Sequence, residues 1–126
     1  MTPEVKEHFD KAHDCLRRGT VILAAGVAED AARNAYLAAF HAAQALIFAR
    51  TGRVAKTHGG VHSLFSRLAK EEHQLTELPS FLSKSYEFKS VADYEVGPHA
   101  GVSLEDAGAA IEAAQRFIDT IARLLD

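Results

Sequence analysis

The chain reads as an all-α protein, an antiparallel up-and-down bundle of four main helices with a short additional one. Two observations predict this. Apolar residues recur at three- and four-residue spacing through long segments, and period-two alternation of the strand kind is scarce. Gly26, Gly52 and Gly97-Pro98, moreover, break the chain between those segments. With 126 residues, 48% of them hydrophobic and 25% charged, the chain suits one domain over 1–126 with a real core.

Thr2 can cap a first helix, with Pro3 where a missing N–H does no harm and Glu4 at the positive helix end. Val5, Phe9, Ala12, Leu16 and Leu23 keep helical spacing, Gly19 weakens the middle, and Gly26 is the expected turn. A second, alanine-rich helix is predicted from Ala28 to Thr51, ended by Gly52. Successive residues turn by about 100°. Arg33, Tyr36, Leu37, Phe40, Gln44 and Ile47 therefore share a stripe, with His41 at its edge. Half of that stripe is polar. Arg33 and His41 read as structural polar residues that need partners, and Arg33→Ala is expected to cost about 1–3 kcal/mol if those partners are stranded.

Arg53 to Gly60 reads as a loop ending in a double glycine. Val61, Leu64, Phe65 and Leu68 mark a short third helix. After a polar break and Pro79, a fourth helix carries Phe81, Leu82, Phe88 and Val91, and Gly97-Pro98-His99-Ala100-Gly101 stops it. Ser103 and Asp106 resemble a capping box for the last helix, Leu104 to Leu125. Its expected inner face is Ala107, Ile111, Ala114, Phe117 or Ile118, Ile121 and Leu125. The alanine-rich second and last helices, with Phe40, Ile47, Phe48 and Phe117, present more apolar surface than a thin bundle should hide, which predicts a homodimer.

A formal net charge of −3 gives no global pull toward nucleic acid, so any RNA contact needs a local basic patch. Cys15 is alone, which excludes an intrachain disulfide and fits a reducing compartment. Met1-Thr2-Pro3-Glu4 leads into mixed charge, and no apolar run is long enough for a membrane span, so a soluble cytoplasmic protein is expected. Among seven histidines, His58 and His62 are four apart on a potential helix face, but HExxH and CxxC patterns are lacking, so neither a metal nor a cofactor is expected. His8, His13 and His73 sit among charges and read as solvated. Gly59-Gly60, beside Lys56 and His58, could present N–H groups to an anion. The reading preferred is that these glycines only let the chain turn into the third helix.

Tyr36-Leu37-Ala38-Ala39-Phe40-His41-Ala42-Ala43, Lys56-Thr57-His58-Gly59-Gly60-Val61 and Ala92-Asp93-Tyr94 follow one another in an order and spacing that resembles the HEPN domains of small prokaryotic proteins. The resemblance implies a dimeric helical domain working beside a minimal nucleotidyltransferase, often as a toxin ribonuclease in a toxin–antitoxin module. It also implies, in active members, an Arg followed by four to six residues and a His, one copy from each protomer in a shared cleft. Arg53-Val-Ala-Lys-Thr-His58 and Arg67-Leu-Ala-Lys-Glu-Glu-His73 match that pattern literally but not in its place. The corresponding position is Lys89-Ser-Val-Ala-Asp93-Tyr94, where Lys replaces Arg and Tyr stands where His is expected. Lys lacks the guanidinium fork that grips two phosphate oxygens, and a phenol of reference pKa about 10 is a poor base.

Lys89, Asp93 and Tyr94 are thus the expected nucleotide- or RNA-binding residues, with His99 beyond Gly97-Pro98 joining Lys89 and Tyr94 as a catalytic candidate. Lys89 and Asp93 are spaced to pair one helical turn apart. Cleavage is expected to be slow or absent. The alternative is a non-catalytic nucleotide-binding or protein-interaction helical module that has lost the ribonuclease residues.

Overall fold

The computed structural model describes the backbone of residues 1–94 and 101–126 and the side chains of residues 1–90 and 101–126. Helix α1 spans Pro3–Ala24, α2 Ala28–Thr51, α3 His58–Ala69, α4 Leu78–Tyr94 and α5 Leu104–Leu125, with a 3₁₀ turn at His73–Leu75. Among the described residues there is no strand. The fold is the expected helical bundle.

Local chemistry sets the boundaries. Thr2 Oγ1 accepts from the Val5 N–H at 3.3 Å, and Ser103 Oγ from the Asp106 N–H at 3.0 Å. Gly26 and Gly52 have φ of 83° and 73°, left-handed values open to glycine at little cost, and so end α1 and α2 sharply. Helix α3 starts three residues earlier than its apolar spacing suggests. Thr57 caps it by accepting from the Gly60 N–H at 2.9 Å. Gly59 and Gly60 therefore lie in the first helical turn with ordinary φ, and the turn into α3 is made ahead of them.

Helix α2 is the hub, packed against α1, α3, α4 and α5. Its alanines at 31, 32, 35, 38, 39, 42, 43 and 45 are at most 1% exposed, and their small side chains let neighbouring helices approach closely. Gly19 belongs to the same device. A Cβ there would stand 2.6 Å from Ile111 Cδ1 and 3.1 Å from Asn34 Cβ, so the residue that seems to weaken α1 is where α1, α2 and α5 meet. The core also holds Phe9, Leu16, Leu46, Ile47, Phe65, Leu75, Leu82, Phe117, Ile118 and Ile121.

That packing corrects the apolar surplus on which a dimer was expected. Ile47 and Phe117 have no exposed surface, and Phe40 and Phe48 are half-buried against the core. His8 is likewise half-buried, its ring 5.9 Å from that of Phe48, whereas His13 and His73 are exposed as expected. No helix among the described residues is long and apolar enough to cross a membrane.

Gln44, 7% exposed, ties α2 to the segment leading into α3. Its amide nitrogen donates to the Ala55 carbonyl at 2.9 Å and its oxygen accepts from the Ala55 N–H at 3.2 Å. Gln44→Ala would strand both backbone groups, and we expect a loss of about 2–3 kcal/mol together with faster amide exchange at Ala55. Gln44→Glu keeps the acceptor but removes the donor. Hydrogen exchange at Ala55 unchanged in Gln44→Ala would show that the clasp does not hold the segment.

Candidate functional site

The side chains that α2, α3 and α4 bring together are Tyr36, His58, His62, Tyr86 and Lys89. Gly52 ends α2, Gln44 holds Ala55 and Thr57 starts α3, so the two histidines, one turn apart, face the middle of α2. Tyr36 meets them there from the polar half of its stripe. Its side chain is fully buried, yet its phenol oxygen lies 2.6 Å from His58 Nδ1 and 3.1 Å from His62 Nε2. A phenol carries one proton and two lone pairs, so it can donate to one ring while accepting from the other.

Aromatic rings surround this contact. The His58 ring centroid is 4.7 Å from Phe40 and 5.6 Å from Tyr36. Tyr86 on α4 sits 5.2 Å from Tyr36, 5.6 Å from His58 and 5.5 Å from His62, and 37% of it faces solvent. Lys89, just under one turn further along α4, places its ammonium 6.0 Å from the Tyr86 ring centre.

Burial pushes the Tyr36 phenol well above its ordinary value, and nearby Tyr86 adds to that, so the group stays protonated. Burial lowers His58, aided by the charge of Lys89, and lowers His62, aided by His58. His41 is held down to about 4 by burial first, then by Lys11, His8 and His58. Among the described residues, the charged side chains acting on these histidines are Lys11 on His41 and Lys89 on His58. Lys89 is the cation beside the half-buried histidines among the described residues of this face.

Of the residues expected at the site, Lys89 is here. Asp93 and Tyr94 are on the last turn of α4, but their side chains, and the whole of His99, lie outside the described residues. Arg33 pairs with Asp30 on α2, with 32% and 49% of the two side chains exposed. His41 lies half-buried with its ring edge-on to Phe40 at 5.3 Å. Arg53, Arg67 and His73 are exposed, and the literal Arg–His matches contribute only His58 to the site.

Tyr36, His58, His62 and Tyr86 were not among the expected site residues. The i,i+4 histidine pair was visible and was weighed only as a metal site. The signal it gave was a shared partner on the polar stripe of α2. Among the described residues no group of three His, Cys, Asp or Glu side chains is placed to hold a metal ion. A groove of about 520 Å³ between α1 and α5 is lined by Asp10, His13, Asp14, Arg17 and Gln115, but Arg17 already pairs with Asp14 at 2.7 Å.

Comparison with known proteins agrees with the bundle. A model of the HEPN domain matches residues 5–124. The "Putative toxin MJ0605" of Methanocaldococcus jannaschii is 28% identical over 123 residues, 97% of this chain and 89% of the relative. The crystal structure of TT1696 from Thermus thermophilus superposes with a TM-score of 0.75 at 24% identity, covering 97% of this chain and 98% of that one, and shows the same fold.

Proposed function

The chain belongs to the HEPN domain family, and from that membership we propose that it is a toxin-like protein that binds a nucleotide or RNA on the Tyr36–His58–His62–Tyr86–Lys89 face and works beside a minimal nucleotidyltransferase. The observation that carries the binding reading is the Tyr86 ring. It is 37% exposed, stands over two histidines and lies 6.0 Å from an ammonium. Such a surface offers a base a stacking platform and its phosphate a cation and ring N–H donors. The similarity to a protein named as a toxin supports the toxin-like role, and the HEPN resemblance supports the nucleotidyltransferase partner and the homodimer. Asp93 and Tyr94, on the last turn of the same helix, remain proposed nucleotide- or RNA-binding residues.

The test is a titration of the full chain with AMP, ATP and a short fluorescent RNA at two salt concentrations. Removing a stacked ring costs about 1–3 kcal/mol, so Tyr86→Ala should weaken binding by roughly 5- to 150-fold. Lys89→Ala should weaken it and flatten its fall with salt. Binding that ignores both substitutions would place the ligand elsewhere. Co-purification with a nucleotidyltransferase encoded next to this chain tests the partner.

A further inference from the structure

We propose that Tyr36, His58 and His62 form a binding site for a late first-row divalent metal ion, held by two imidazole nitrogens and one phenolate oxygen. The proposal stands apart from the nucleotide reading, because it needs only these three donor atoms and not the outer surface that Tyr86 and Lys89 offer. In the sequence the histidine pair lacks a partner ligand, and among the described residues no third His, Cys, Asp or Glu side chain joins it. The fold supplies a phenol instead.

Two rings of one helix aim at a single point. His58 and His62 are four residues apart in α3, the spacing at which two histidines share a face and chelate one ion. His58 turns Nδ1 and His62 turns Nε2 to the same Tyr36 oxygen, at 2.6 and 3.1 Å. Around a tetrahedral ion with bonds of about 2.0–2.1 Å, neighbouring donor atoms stand about 3.3 Å apart. The two contacts would open by roughly 0.7 and 0.2 Å to reach that spacing, a change that small rotations of the rings can make. Both histidines are half-buried rather than sealed, so an ion has a way in.

The donor set selects the ion. Imidazole suits zinc, copper and nickel, whereas magnesium and calcium take carboxylates, carbonyls and water. Binding exchanges a proton for the metal. The phenol O–H bond breaks, its proton leaves to solvent, and the oxygen's electron pair forms the bond to the ion. Each imidazole gives the lone pair of its unprotonated nitrogen, so His58 keeps its proton on Nε2 and His62 on Nδ1. Burial keeps the phenol protonated without a metal, and a dication at bonding distance supplies the charge that ionises it. Three protein donors leave the fourth tetrahedral position to water. Lys89, whose charge acts on His58, opposes the ion and holds its affinity down. A bound ion would tie α3 to the middle of α2.

The test uses the purified full chain, stripped with EDTA and dialysed free of it, then titrated separately with cobalt(II), nickel(II), copper(II) and zinc salts. We expect one ion per chain, with affinity rising from cobalt through nickel to copper and falling again at zinc. The thermal midpoint should climb with ion concentration. Copper held by Tyr36 should show a phenolate-to-copper charge-transfer band in the visible, a signature that histidines elsewhere do not imitate. Tyr36→Phe should lose that band. His58→Gln and His62→Gln should each weaken binding by about 10- to 100-fold or more, since losing a ligand outweighs losing the group behind one. His13→Gln and His73→Gln, at exposed positions outside the site, should leave it unchanged. Lys89→Ala, which should loosen a nucleotide, should tighten the ion, so the failure of one reading is not the failure of the other. A chain that binds none of these ions, or that binds copper without the band, overturns the site. Binding that survives His62→Gln at full strength also overturns it and places the ion on other histidines. Should Tyr36→Phe fail to fold, the band of the unaltered chain and the two Gln variants decide.

Discussion

Phe117→Ala is expected to destabilise the chain by about 3–5 kcal/mol, the range for truncating a fully buried aromatic ring. For a domain of this size that lowers the thermal midpoint by roughly 10–20 °C. Phe117 has no exposed surface and packs its ring 5.3 Å from Phe65 and 5.8 Å from Phe81, joining α5 to α3 and α4. Its removal opens a cavity that three helices border, and α2 already packs its alanines too closely to move in. Melts at two protein concentrations check the result. A large, concentration-independent loss places Phe117 in the fold, as the structure has it. A loss that appears only on dilution would return the ring to a seam between copies. Light scattering on the same samples tests the homodimer, and a mass near 13.7 kDa at high concentration would end that proposal. A dimer seam has other apolar groups at its disposal, notably Val21 at 64% and Leu104 at 52% exposure.

The second large effect is a loss of stability on mild acidification. His41 is held near a pKa of about 4 in the fold, against 6.5 for an ordinary histidine. Between those values the unfolded chain binds a proton that the folded chain refuses, so stability rises with pH there. The contribution is complete above pH about 6.5 and drains away as pH falls toward about 4. By pH 5 it amounts to about 1–2 kcal/mol from His41, after allowance for the half-exposed ring. His58 and His62 are shifted the same way and add to it. Thermal midpoints measured from pH 7.5 to pH 5 should fall steeply for the unaltered chain and less for His41→Gln. Equal slopes would show that His41 titrates normally.

How much was legible follows from the range of each interaction. The limits of α2 were readable because alanine content and Gly52 act within a few residues, and so were the caps at Thr2 and Ser103. The inner face of α5 followed from spacing alone, although Leu125 at its end is only half-buried. The start of α3 was obscured because the double glycine outweighed Thr57, whose capping bond shows only once the backbone is placed. The site was legible in part. Lys89 was named for its likeness to a family position. Tyr36 stood in view on the polar stripe, but its partners lie 22 and 26 residues away, a separation that no helical periodicity reports. Ile47 and Phe117 were counted as apolar surface beyond what a thin bundle hides, because periodicity gives a face without saying how closely the next helix approaches.

The Gln44 clasp carries a consequence for which changes the approach to α3 can absorb. One side-chain amide gauges both polar groups of a single peptide residue, so what it measures is chain length. Any small residue other than proline offers the same N–H and C=O at position 55, and the exposed Arg53, Val54 and Lys56 are free to vary. The count of residues between Ala55 and Thr57 is not free. Adding or deleting one there would shift α3 along its axis against α2 and rotate it by about 100°, carrying both histidines off the Tyr36 oxygen while leaving every side chain of the site present. Homologues should therefore differ in the composition of this spacer far more readily than in its length.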